Sequence, residues 1–262
     1  MRRRAAAAAA LVLLIAASLA LAAGCTSTTS TCKECQDIVT GIPWKAPESY
    51  TYQLKQDGKP QGTTTLSITQ SGADVVLTQK SVGDNGTSDI SAVTANATTL
   101  KPVSATRTIT GKSTRTLLEV AYGAVDTKQC ASGKVARIKQ SNFKPPDEAT
   151  PDSQRSNPLC VPDHAYDNDE SLFIWRTIAF QKGATVTYET VTAGRRDTHL
   201  VTLIVQDQEK VTVPAGTFDA WYVEVASERS RQKAWFATTP DHRLLQYVNN
   251  QGQSFQLQPG GG

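Results

Sequence analysis

Cysteine and histidine are the residue types here best suited to chemistry, and they are sparse: five cysteines and three histidines in 262 residues. Cys32-Lys33-Glu34-Cys35 has the spacing of a redox pair or of half a zinc site. No βαβ pattern follows it and His164, His199 and His242 are scattered, so a plain disulfide is the preferred reading. His164 lies near Asp163 and Asp167, and His242 follows Asp241. Adjacent residues in a turn seldom face each other, and a general base also needs a positioned nucleophile. Both histidines are therefore read as exposed loop residues, and His199 as a solvent-facing strand position. No G-x-S-x-G nucleophile elbow occurs. Asp163, Asp167, Asn168, Asp169 and Glu170 offer oxygen ligands, but without the EF-hand spacing or its central glycine; helix capping and solvation account for them. The chain is read as a non-enzyme, with no metal and no cofactor.

Arg176 carries the sharper signal. It stands between Trp175 and Ile178 on an apolar segment, so its stem is buried and its guanidinium needs a carboxylate or carbonyl partner. One reading is a structural ion pair with Glu209 or Asp169. The other is an anion or headgroup contact at a cavity mouth lined by Trp175, Phe180, Trp221 and Trp235, although such aromatics also serve as plain core.

The N-terminus says where these residues work. Arg2-Arg3-Arg4 precedes an apolar run from Ala5 to Ala23 and then Gly24-Cys25, the layout of an export signal over residues 1–24. Leu21-Ala22-Ala23-Gly24-Cys25 resembles the bacterial lipobox, which implies cleavage before Cys25 and fatty acylation (palmitate and related chains) of that residue. The expected location is lipid-anchored on the outer face of the cell membrane, or facing the periplasm where there are two membranes. Those three arginines account for the formal charge of +3, and the chain beyond residue 24 is formally neutral. A neutral chain lacks the cationic patch that nucleic acid requires. Cys32, Cys35, Cys130 and Cys160 remain, an even number in an exported chain, which favours disulfides. Three connectivities are possible; Cys32–Cys35 with Cys130–Cys160 is preferred.

Residues 25–47 read as an acylated cysteine and a Ser/Thr-rich tether, with Trp44 folding back as an apolar lid. Residues 48–258 read as one antiparallel β domain, and 259–262 as a disordered tail. Tyr50, Tyr52 and Leu54 alternate, Asp57-Gly58 turns the chain, and Leu66 and Ile68 alternate on the return. Short Thr- and Val-rich runs separated by Gly, Asn and Asp continue the meander. The 130–160 stretch is read as a disulfide-bounded loop insertion holding at most a strand over 134–139, because proline and polar residues dominate it. Ser171 to Phe180 is the one credible helix, capped from Asp167, Asn168 or Asp169. Val211 to Val225 is strand, sharp turn at Pro214-Ala215-Gly216, and strand, and the rest is organised around it.

Asp169 and Ser171, Trp175-Arg176, Gly183, the run Glu209 to Phe218 and Trp235 together resemble a bacterial envelope family, domain of unknown function 3108. The Tyr52 to Ile68 hairpin is similar to that family's opening, and the 130–160 stretch departs from it. The resemblance implies a strongly curved antiparallel sheet, half-barrel-like, with a short helix at its concave side. That shape is similar to lipoprotein carriers that hold acyl chains. The family has no established activity, so no site residue is carried over. The expected role is a binding module for an apolar or amphipathic, lipid-like ligand; the alternatives are a structural partner of another envelope protein and, behind it, a hydrolase.

Overall fold

A strand with one buried face needs apolar residues every second position, and this sequence supplies that pattern for most of its length. In the computed structural model, which describes residues 32, 35–124, 130, 133–228 and 230–260, it becomes fifteen strands. They are β1 (Glu48–Gln56), β2 (Lys59–Ser71), β3 (Asp74–Gly83), β4 (Ser88–Asn96), β5 (Pro102–Thr110), β6 (Arg115–Gly123), β7 (Lys134–Phe143) and β8 (Ser153–Val161). After these come β9 (Tyr166–Asp167), β10 (Thr185–Thr192), β11 (Asp197–Val213), β12 (Gly216–Ser227), β13 (Arg231–Ala237), β14 (Leu244–Asn249) and β15 (Gln253–Leu257). The expected signal, Cys25, the Ser/Thr spacer and positions 261–262 lie outside the described residues.

All fifteen form one sheet, ordered β8-β7-β6-β5-β4-β3-β2-β1-β15-β14-β13-β12-β11-β10-β9. Every pairing is antiparallel except β9 with β10. The sheet is not closed; β8 and β9 are its edges. Its curvature shows in what one short segment touches. Residues 167–176 bond to side chains or carbonyls of β1, β5, β6, β10 and the turn before β14. Strands so far apart in the order reach one plug only if the sheet curls around it.

The plug is the expected helix, shortened. Asn168–Glu170 and Trp175–Thr177 are 3-10 turns flanking one α-turn, α1 (Ser171–Ile174), and Ile178 is already extended. The expected run to Phe180 stops early because the chain leading into β1 takes over the terminal carbonyl. Thr177 O accepts the Thr40 amide at 3.0 Å and the Thr40 hydroxyl at 2.6 Å. Leu172, Phe173, Ile174 and Trp175 are all buried, as expected of a helix enclosed on every side. Residues 35–47, placed with the tether by sequence, pack on the sheet: Ile38 is fully buried and Trp44 nearly so.

Both disulfides have the preferred pairing, Cys32–Cys35 and Cys130–Cys160. The 130–160 stretch is more regular than expected. It contains β7 and β8 paired along their length, and the irregular part narrows to 144–152. Its polar residues misled the reading because β8 is an edge strand exposed on both faces from Ser153 to Pro158. Proline is tolerated there because an edge needs no donor on its free side.

The organising hairpin forms as read, with Val213 paired to Gly216 across Pro214-Ala215. A glycine pair matters to the opposite end. Gly62 and Gly83 face each other on β2 and β3, beside a register shift at Leu54/Lys55. Gly62 has φ +145°, and a Cβ there would lie 2.0 Å from the Val82 carbonyl oxygen. Gly62→Ala is therefore expected to lower stability by at least about 1–3 kcal/mol, read as an earlier urea midpoint.

Candidate functional site

Arg176 is 4% exposed, and its guanidinium is occupied. Nη1 and Nη2 donate to the two carboxylate oxygens of Glu48 at 2.5 and 3.2 Å. Nη2 also donates to Asp241 O at 2.8 Å, and Nε to His242 O at 3.2 Å. The Trp44 ring lies 5.0 Å away. The partner is thus Glu48, not Glu209 or Asp169: Glu209 accepts from Trp235 Nε1, and Asp169 from Arg107. Arg176 ties plug, β1 and the β13–β14 turn together.

The four aromatics proposed with it do not form one cavity wall. Trp175 is core; its Nε1 donates to Tyr188 Oη at 2.8 Å, and Tyr247 lies 6.3 Å away. Phe180 packs on Trp221, Phe236 and His242 at centroid distances of 6.4, 5.5 and 4.3 Å. Trp235 points to the convex face, stacked on Tyr222 at 5.1 Å.

An opening exists at the other end of the sheet, and the pairing register explains it. One inward row, Ile68, Leu77, Val93, Ala105, Val120 and Ile138, is apolar across six strands. The next inward row is Leu66, Gln79, Ser91, Arg107, Leu118 and Gln140, and the one after is Thr64, Ser81, Asp89, Ile109, Thr116 and Asn142. The concave face therefore grades from apolar to polar along the strands. Apolar rows pack shut against the plug. The polar end stays open as a trough of about 500 Å³, floored by Gln79, Ser81, Asp89 and Arg107, with Leu54 and Ile109 as apolar positions. Ile109 is 40% exposed.

Arg107 divides this trough from the plug. Its Nε and Nη2 donate to both oxygens of Asp89 at 2.9 and 2.7 Å, and Nη1 donates to Asp169 at 2.9 Å. Burial works against its charge, but Asp89 and Asp169 outweigh burial and push its pKa up. Smaller cavities of about 160 and 220 Å³ lie on either side of the Arg107–Asp169 bridge.

Behind the bridge sit the acids read as caps. Asp167 does cap the plug: its carboxylate accepts the Asp169 amide, and Glu170 accepts the Asp167 amide at 2.7 Å. They are not solvated, however; Asp167 is 2% exposed and Glu170 fully buried. Burial first, then the Asp169 charge, pushes Asp167 up to about 7, against the pull of the Tyr122 hydroxyl bonded to it. Burial and the Asp167 charge push Glu170 well above the carboxylate range, and its Oε2 is buried without a hydrogen-bond partner. Such a group is held most cheaply as the neutral acid.

His164 is not a free loop residue either. Its Nε2 lies 3.2 Å from Oε2 of buried Glu189. Sequence reading missed Arg107, Gln79, Ser81 and Asp89. The available signal was phase: Gln79 and Ser81 continue the Val75-Leu77 alternation, and Arg107 falls in step with Ala105 and Ile109.

Among solved structures the chain is similar to a β-barrel-like protein of domain of unknown function DUF1849 from Brucella abortus. The identity is 11% and the TM-score 0.39, covering 81% of this chain and 96% of that one. It is also similar to a chain from Bacteroides fragilis described as exported with a YmcC-like fold, at 10% identity and TM-score 0.31 (84% and 98% covered). A third, from Parabacteroides distasonis and described as a lipoprotein, has 12% identity and TM-score 0.30 (87% and 99% covered). No curated protein matches. Residues 50–251, which span the hairpin, plug and final strands just described, match the family model DUF3108, "Protein of unknown function", and the chain belongs to that family.

Proposed function

We propose that this chain is an exported, lipid-anchored envelope protein whose sheet holds a small amphipathic ligand, without catalysing its conversion. The observation that carries this reading is the open trough of about 500 Å³ at the polar end of the concave face. Its floor offers amide, hydroxyl and carboxylate groups in fixed positions, and Leu54 and Ile109 receive an apolar portion. Arg176 is left out, since all its bonding goes to Glu48 and two carbonyls. Anchoring rests on Arg2-Arg3-Arg4, the apolar run and Gly24-Cys25. Among the described residues no helix is long and apolar enough to cross a membrane.

The test uses residues 25–262 carrying Cys25→Ser behind an ordinary cleaved export signal, purified from the exported fraction without detergent. Native mass spectrometry is expected to find one small-molecule adduct per chain, lost on denaturation. Ser81→Trp, which fills the trough, should abolish it. A native mass equal to the bare polypeptide mass for both proteins, with no adduct on either, would sink the reading. The exposed edge of β8, Ser153 to Pro158, would then favour a structural partner adding a strand, and cross-linking from that edge in intact cells would capture it.

A further inference from the structure

The C-x-x-C pair set aside by sequence stands beside groups that its spacing did not predict. The Cys35 sulfur, a His164 ring nitrogen and a Glu189 carboxylate oxygen all lie within 4.8 Å of one another. Each is held by a separate part of the fold. Glu189 projects from β10 and its side chain is 4% exposed. Gln36 N–H donates to Thr187 O at 3.0 Å, which straps the residue after Cys35 along the same strand. Lys101 Nζ donates to His164 O at 2.8 Å and pairs with Asp37 at 2.9 Å, tying the His164 loop to that strap. In this state the Cys35 sulfur is bonded to Cys32, so neither sulfur is a thiolate.

Thiolate, imidazole and carboxylate are all donors that zinc takes, and four of them complete its tetrahedral shell. With bonds of about 2.0–2.3 Å, tetrahedral donors stand ~3.3–3.8 Å apart. His164 Nε2 and Glu189 Oε2 are already at 3.2 Å. We propose that in the reduced chain Cys32, Cys35, His164 and Glu189 bind one zinc ion, and that the Cys32–Cys35 disulfide closes this site.

The chemistry balances with a dithiol as reductant. It passes two electrons and two protons to the Cys32–Cys35 bond, which breaks into two thiols, and itself becomes a disulfide. Zinc then replaces the two thiol protons, which leave to water. Exchange with an incoming disulfide reverses this: the sulfurs rejoin, the ion departs, and the incoming disulfide takes two electrons and two protons to become a dithiol.

The full chain in mild detergent, reduced with a phosphine that is then removed, is titrated with Co²⁺ and separately with Zn²⁺ against a chromophoric chelator. One equivalent of Co²⁺ with the visible bands of a tetrahedral thiolate site is expected, and none in the oxidised chain. His164→Ala and Glu189→Gln should each weaken zinc binding at least about tenfold. Replacing Cys130 and Cys160 by serine should leave it unchanged. No stoichiometric zinc in the reduced chain overturns the proposal, as does an affinity indifferent to His164→Ala, which would take the imidazole out of the ligand set. Because Glu189 is buried, its variant can fail to fold; half-exposed His164 then decides.

Discussion

Arg176→Ala is expected to lower the folding stability of this protein by about 3–5 kcal/mol, read as a urea midpoint shift at constant m-value. The size follows from what the substitution strands. Glu48, its side chain only 10% exposed, loses its guanidinium partner, and the carbonyls of Asp241 and His242 lose their donor. Removing one partner of a buried pair costs far more than the pair contributes against an apolar replacement. Glu48→Met combined with Arg176→Met should accordingly recover most of the loss. Arg176→Lys should recover little, because one ammonium cannot satisfy the carboxylate and both carbonyls at once. A loss below about 1 kcal/mol for Arg176→Ala would mean that the guanidinium is exchangeable, and would restore it as a ligand contact.

The second large effect is a stability that declines as pH rises. Asp167 titrates near 7 in the folded protein, against an ordinary value of 3.8. Between about pH 4 and 7 the folded state thus binds a proton that the unfolded chain has released. Its contribution is fully present below pH 4, is lost progressively through that window, and is gone above it. Glu170, raised by burial and by the Asp167 charge, acts in the same direction. The groups facing them are Tyr122, Asp169 and Arg107, with Lys101 acting on Glu170 from further off. A thermal midpoint distinctly higher at pH 5 than at pH 8 is expected, with a difference on the order of a few kcal/mol. Asp167→Asn keeps a good helix cap and removes the titrating proton, so it should flatten the profile. An unchanged slope in that variant would show that Asp167 is not the group responsible.

What could be read along the chain was whatever repeats locally. Alternation at Tyr50, Tyr52 and Leu54, or at Leu66 and Ile68, reports a strand from a few neighbours, and Asp57-Gly58 reports the turn between them. The Val211 to Val225 hairpin and a cap at Asp167, Asn168 or Asp169 were legible for the same reason. Of those three the structure uses Asp167, and of three possible disulfide connectivities it has the preferred one. Errors came where neighbours decide the outcome. β8 looked like loop because an edge strand needs no apolar face. The plug looked longer because Thr40, far away in sequence, takes its last carbonyl.

The sequence by itself determined the strand periodicity, which is written in short-range spacing, and the cysteine pairing preference, while the sheet-and-plug order was what the family resemblance implied. Only the tertiary structure decided which charges meet. Arg107 reaches Asp169 across 62 residues, and Arg176 reaches Glu48 across 128. Sheet curvature brings those strands onto one plug, and desolvation there makes each pairing obligatory. The same curvature closes the apolar rows on the helix and leaves the Gln79, Ser81 and Asp89 end open, because only apolar rows gain by shedding water.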